Sequence, residues 1–402
     1  MNPILILAIS GALILLGFLA TVIFEKTRIS DSLILITAGM LFGRLGWLSG
    51  DSLLPFSGTM ASLALAIILF EAGLNMDTRN LIENLGKALS LGSISYFIIS
   101  FLVAGATMLV LGWNPLNSLL LGFLMGGTSA AVIIPIMSTI NIKDEDATIV
   151  GMESMVTNVL TTVFSLMIVK LMIETIIDPS RAVTVLISSF STGIVLGVVM
   201  GFVWIRVMRA LRKRPMAYML TLAVLFMLYA FTEFSGGNGA LASLMFGIML
   251  GNNRAITNVM NLPSIATGRF TKLHDEISFL VRTYFFLYLG LILVLPNNWM
   301  LWVMALAITL TSFLGRALPI KLYGMPRRFL PFINKGLSEA VIAVLLIEYG
   351  LPLAFETLTI VCLAILLTNI ASVPLMWAFV PRKHHNGGSG KAEGKAKEAL
   401  ES

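Results

Sequence analysis

Four polar residues stand close together in the stretch Gly151-Met-Glu-Ser-Met-Val-Thr-Asn158. Glu153 and Thr157 are four residues apart, and so are Ser154 and Asn158, so on a helix all four share one face. The flanks, 147–150 and 159–173, are almost wholly apolar. A carboxylate near the centre of a membrane helix costs about 2.5–3.5 kcal/mol or more on insertion scales. A group kept at that cost has partners, a function or both. Hydroxyls, an amide and a carboxylate on one buried face are the chemistry of ions or protons handled inside a membrane.

Few other charged residues sit at depth. Gly126-Gly127-Thr128-Ser129-Ala130-Ala131, followed by Pro135, combines adjacent glycines, two hydroxyls and a proline. That composition invites local unwinding, and the freed carbonyls of unwound backbone at depth can coordinate a cation. Close helix packing through small residues is the alternative use of the same glycines. Asn334-Lys335-Gly336-Leu337-Ser338-Glu339 permits a second break. Lys335 and Glu339 are four apart and can pair on a helix face. Lys335 also reads as an interfacial lysine that snorkels to water, whereas Glu339 falls near the bilayer centre and is a functional candidate by default. Glu71, in Phe70-Glu71-Ala72-Gly73-Leu74, lies about a turn from the end of its segment. Arg282, in Arg282-Thr283-Tyr284-Phe285-Phe286, is too far along its helix from Glu276 for a simple pair and reads as half of a structural ion pair. Metal-ligand spacings, a nucleophile elbow, a phosphate loop and a paired nucleophile and base are all missing from plausible contexts. The chain therefore reads as a non-enzyme with no cofactor, and its metal ion would be a transported Na+ or K+.

These residues must be positioned by membrane-spanning elements. Of 402 residues 57% are hydrophobic and 12% charged, with mean hydropathy +0.92; soluble domains carry about 25% charged residues. The fold class is all-α, polytopic and embedded in a bilayer, with about 13 spanning helices. They lie near 3–24, 32–49, 57–75, 87–112, 115–140, 148–173, 183–208, 215–233, 238–252, 274–295, 298–321, 331–349 and 355–380. The first reads as a spanning helix rather than a cleaved signal, since it lacks a basic leading region. Basic loop residues alternate between the two ends of the segments. One end holds Lys26, Arg28, Arg79, Lys87, Lys143, the cluster Arg206–Arg214, Arg254, Arg269, Lys272, Arg316, Lys321, Arg327 and Arg328; the other holds little beyond Arg44 and Arg181. The positive-inside rule makes the rich end cytoplasmic, with the N-terminus outside and the C-terminus inside a cell membrane. No basic run with interleaved aromatics suggests nucleic acid. The single cysteine, Cys362, excludes a disulfide framework. The tail, 384–402, has the Gly/Ser/Lys composition of a disordered or appended linker. Segments 5 and 12, both glycine-interrupted, are an odd number of crossings apart and so run in opposite directions. Inverted repeats with two discontinuous helices are the arrangement of secondary transporters, with the binding site at the breaks.

The same residues resemble the monovalent cation/proton antiporter superfamily, specifically sodium/proton antiporters of the NhaP type. The marks are Phe70-Glu71-Ala72-Gly73-Leu74, the Gly-Thr-Ser break, Glu153-Ser154, Arg282-Thr283-Tyr284-Phe285-Phe286 and Lys335-Gly336-Leu337, in that order along nearly the whole chain through residue 380. The resemblance implies a homodimer. Helices 1–3 (1–75) and 7–10 (183–295) would form a dimerisation domain, and helices 4–6 (87–173) and 11–13 (298–380) a moving core. It implies cation binding by Glu71, Thr128, Ser154 and the residue at 158, with Ser129, Thr157 and Arg282 in support. It also implies a structural ion pair between Glu153 and the basic residue of segment 12, usually arginine and here Lys335.

The family pattern in segment 6 is Glu-Ser-x-x-(Asn or Thr)-Asp, and this chain ends it Thr157-Asn158. An amide offers a carbonyl oxygen to a cation but does not titrate. Three accounts follow: an engineered form in which Asn158 stands for a protonated aspartate, the smallest change; a natural variant in which Glu339 or Glu71 carries the proton; or a chain that has lost antiport. A sodium-coupled organic-anion symporter of similar fold is the alternative function, which Asn158 suits and Glu71 and Glu339 oppose.

Overall fold

The structure is a computed structural model that describes residues 3–27, 29–46, 57–76, 78–139, 144–174, 179–211, 217–253, 268–293 and 295–379. The tail from His384 and the basic residues Arg28, Lys143, Arg212, Lys213, Arg214 and Arg254 lie outside these. Apolar segments fold as helices because a bilayer offers no water to the backbone, which must satisfy its own N–H and C=O groups. Fourteen α-helices are described: α1 (Pro3–Thr27), α2 (Asp31–Arg44), α3 (Ser57–Asn75), α4 (Thr78–Leu111), α5 (Pro115–Gly126), α6 (Ala130–Thr139), α7 (Asp144–Ile173), α8 (Pro179–Ala210), α9 (Ala217–Phe234), α10 (Gly239–Gly251), α11 (Gly268–Ile292), α12 (Trp299–Leu322), α13 (Leu337–Glu348) and α14 (Ala354–Phe379). No strand occurs among the described residues.

The count exceeds thirteen because segment 5 is split into α5 and α6. Segment 12 is only half helical: a 3-10 turn (Arg327–Phe329) leads into non-helical backbone over 332–336, and α13 follows. Six helices are long and apolar enough to cross a membrane on length and composition alone, namely α3, the 89–111 part of α4, α7, α8, α12 and α14. Three asparagines fix helix starts by accepting an orphan N–H. Asn114 accepts from Asn117 ahead of Pro115, Asn238 from Leu241, and Asn298 from Met300.

The helices pack in two sets. α4, α5, α7, α12, α13 and α14 lie against one another, as do α3, α8, α9 and α10, with α2 on α11; α13 meets α3 across the two. The second set is built on small residues, as expected where lipid removes the hydrophobic drive between helices. At the α3–α10 crossing, a Cβ on Gly73 would fall on the carbonyl oxygen of Leu244, and one on Gly247 on that of Phe70. Gly39 and Gly290 serve α2 and α11 in the same way. Gly247→Val is expected to cost about 1–3 kcal/mol by overpacking, seen as a thermal midpoint several degrees lower in detergent. Leu109→Ala, on a lipid-facing side chain 88% exposed, is expected to leave the midpoint in place.

Candidate functional site

The site forms where the two interrupted segments touch. α5 ends at Gly126 with Gly127 as its cap, and helix resumes at Ala130. A Cβ on Gly126 would strike the Ser100 hydroxyl and the Tyr96 ring, and one on Gly127 the Thr161 hydroxyl, so glycine lets the break press against α4 and α7. The backbone N–H of Ser129 donates to the carbonyl of Asn334 at 2.8 Å, joining one break directly to the other. Gly336 faces Ser129 so closely that a Cβ there would overlap its side chain.

Breaking a helix at depth strands its last carbonyls, and here a cation answers them. Lys335 Nζ donates to the carbonyl of Met125 at 2.6 Å and to that of Gly127 at 2.5 Å. Its charge also suits the negative end of the α5 dipole. Lys335 is fully buried, so the snorkelling reading fails. The non-helical backbone of segment 12 is held by α14. The Lys335 N–H donates to Thr368 Oγ1 (3.3 Å), Asn369 Nδ2 to the Lys335 carbonyl (3.1 Å), and Asn334 Nδ2 to Asn369 Oδ1 (2.9 Å) and Ser372 Oγ (2.8 Å).

The structural ion pair differs from the expectation. Glu153 pairs with Arg316 of α12, not with Lys335. Arg316 Nη1 and Nη2 donate to Glu153 Oε1 and Oε2, both at 2.6 Å, and Nε donates to the Phe329 carbonyl at 2.8 Å. The guanidinium fork matches a carboxylate with two parallel bonds, which an ammonium does not. Arg316, counted among loop residues from the sequence, is buried six residues before α12 ends at Leu322. Lys335 and Glu339 do not meet as an i,i+4 helix pair either, because Lys335 precedes the start of α13. Glu339 Oε2 instead accepts the Gly336 N–H at 3.0 Å at the N-terminus of that helix.

The polar face of α7 lies against the segment-5 break. Thr157 Oγ1 accepts the Thr128 N–H at 3.2 Å and lies 3.1 Å from Thr128 Oγ1. Ser154 Oγ donates back to the Val150 carbonyl at 2.9 Å. Asn158 is buried, and its Oδ1 has no partner among the described residues. Thr161 Oγ1 and Ser165 Oγ, further along α7, are likewise buried and without a partner. Thr128, Ser129, Ser154, Thr157, Asn158, Glu153, Lys335 and Glu339 are thus all buried around the two breaks. Two expected members stand apart. Glu71, half-buried on α3, makes no hydrogen bond to the others among the described residues. Arg282 Nε donates to the Ser278 carbonyl of its own helix at 3.3 Å and makes no ion pair among the described residues.

The sequence reading missed Arg316, Thr368, Asn369 and Ser372. A signal existed for three of them: Thr368, Asn369 and Ser372 sit at one-face spacing in an apolar segment, the same pattern as Ser154 and Asn158.

The family described as "Sodium/hydrogen exchanger, transmembrane" matches residues 12–380. The chain belongs to the sodium/hydrogen exchanger family. Among its relatives in that family, the K(+)/H(+) antiporter NhaP of Alkalimonas amylolytica is 28% identical over 340 residues, 81% of this chain and 56% of the relative. The K(+)/H(+) antiporter NhaP2 of Shewanella sp. (strain ANA-3) is 25% identical over 388 residues, 91% of this chain and 65% of the relative. This chain therefore spans only 56% and 65% of the length of these two relatives. The sodium proton antiporter MjNhaP1 of Methanocaldococcus jannaschii shares the fold, with TM-score 0.79 at 20% identity over 93% of this chain and all of that one. The resemblance to NhaP-type exchangers is borne out.

Removing one partner of the buried pair strands the other's charge, at a cost of about 3–5 kcal/mol. Arg316→Gln and Glu153→Gln are each expected to lower the detergent melting midpoint sharply. The double variant Glu153→Gln/Arg316→Met is expected to fall less than the two single losses added. A double variant showing full additivity would contradict the pair.

Proposed function

We propose that this chain is a secondary-active antiporter exchanging a monovalent cation, Na+ or K+, for protons by alternating access. The observation that carries the reading is the contact between two interrupted segments, with the polar face of α7 against the first. Unwound backbone of this kind is tolerated at depth where it is buried or lines a cavity. Thr128, Ser154 and Asn158 supply the cation's oxygen ligands. The unpartnered Asn158 Oδ1 is the best placed, because a buried carbonyl oxygen with no donor gains most from a cation. Glu71, on a helix packed against α13, joins the site in another arrangement of the two helix sets. Ser129, Thr157 and the Glu153–Arg316 pair hold the ligands in place.

The two packing sets support a division of labour in which α4–α7 and α12–α14 move as a core against α1–α3 and α8–α11. The latter set would form the interface of a homodimer in a cell membrane. The excess of basic residues in one set of loops supports a cytoplasmic C-terminus. Antiport follows if one site is loaded either by cation or by proton and only the loaded forms cross.

The test is proton movement in proteoliposomes under an imposed pH gradient, with Na+, Li+ or K+ added. Asn158→Leu, which removes the ligand oxygen at similar volume, is expected to weaken apparent cation affinity about tenfold or more, the factor that 1.4 kcal/mol corresponds to. Asn158→Asp is expected to strengthen it by adding a charge. If neither the chain nor Asn158→Asp moves protons in response to any of the three cations, the antiport reading fails.

A further inference from the structure

Antiport through a site whose segment-6 position is an amide needs another group to hold the counter-proton. We propose that Glu339, at the start of α13, is that group, with the proton resting on Oε1. The inference rests on the antiport reading above.

Glu339 is fully buried. Its two oxygens are unequal: Oε2 accepts the Gly336 N–H, and Oε1 has no partner among the described residues. A buried carboxyl oxygen with no donor is an acceptor held open for a proton or a cation-borne charge. The nearby cation does not fill it, since the ammonium of Lys335 donates to the carbonyls of Met125 and Gly127. Lys335 acts on Glu339 only through its field.

The charges around the breaks count in favour of exchange. The buried set holds two carboxylates, Glu153 and Glu339, and two cations, Arg316 and Lys335. Glu153 is spent on Arg316 through both oxygens. The set is therefore neutral with Glu339 ionised. A monovalent cation at Asn158 and a proton on Glu339 each add one positive charge, so each loaded form disfavours the other without sharing a ligand. Competition between them gives one cation for one proton. In each cycle the proton leaves water on one side, binds Oε1, and is released on the other side as the cation loads.

The other candidates are less well placed. Asn158 does not titrate. Glu153 would abandon a bidentate guanidinium to accept a proton. Glu71, the titratable residue of α3, makes no bond to the breaks among the described residues. Among the described side chains, the remaining titratable or charged groups on the helices packed against α13 are Asp146 and Lys170 on α7, Glu356 and Cys362 on α14, and Glu276, Arg282, Tyr284 and Tyr288 on α11. Tyr96 on α4 is also within electrostatic reach of Glu339, and its hydroxyl already donates toward the carbonyls of Phe123 and Leu160.

The test compares the full chain with Glu339→Gln, Glu339→Asp and the double variant Asn158→Asp/Glu339→Gln in proteoliposomes, reading cation-driven proton flux across pH. Glu339→Gln is expected to lose at least tenfold in exchange, and Glu339→Asp to keep exchange with a displaced pH profile. The double variant, which returns a carboxylate to segment 6, is expected to regain exchange. Exchange by Glu339→Gln at the parental rate and pH profile overturns the proposal while leaving antiport intact. A silent double variant also overturns it, since Glu339 would then be a structural cap. A parental chain that is silent while Asn158→Asp exchanges overturns it too, and silence of both with every cation instead sinks the antiport reading itself.

Discussion

A carbonyl at the end of a helix finds no water in a bilayer, and the carbonyls of Met125 and Gly127 end a helix at depth. Lys335 supplies the missing donors from another segment. That contact answers the break in segment 5, and segment 12 is non-helical where its ammonium reaches across. The consequences spread outward. Gly126, Gly127 and Gly336 are needed for the approach, Thr368 and Asn369 satisfy the backbone of Lys335 while Asn369 and Ser372 hold the Asn334 side chain, and α13 must begin after the break.

The two buried cations divide the work by shape. Arg316 presents a planar fork and takes the carboxylate of Glu153 through both oxygens, while its third nitrogen holds the Phe329 carbonyl. Lys335 presents a compact point charge that donates to two carbonyls at once. An ammonium in place of Arg316 would leave Glu153 with a poorer partner. With Glu153 closed off, the oxygens left open at the breaks include Asn158 Oδ1 and Glu339 Oε1. On the proposed reading, the first takes a cation and the second a proton.

Much of this was legible in the sequence, for reasons that differ between residues. The polar face of α7 could be read because helical spacing alone puts Ser154 beside Asn158 and Glu153 beside Thr157. The break at Gly126-Gly127 could be read because glycine pairs with hydroxyls and a proline rarely serve a straight helix. Arg316 could not, since an arginine in the last turns of an apolar segment reads as an interfacial charge facing water until packing shows it buried against Glu153. The expected bond between Glu153 and Lys335 failed for a related reason: the motif gives one basic candidate, and only packing shows that another lies closer.

The sequence by itself determined that the chain is helical and crosses a bilayer, where the breaks fall, and which polar side chains are carried to depth. These follow from local composition and the period of the helix, which one segment suffices to express. Pairing was decided by the tertiary structure: Glu153 with Arg316, Lys335 with the end of α5, Ser129 with Asn334, and Glu339 with one oxygen left over. These partners lie on different helices, and the spacing within any one segment carries no information about which face of another it will meet.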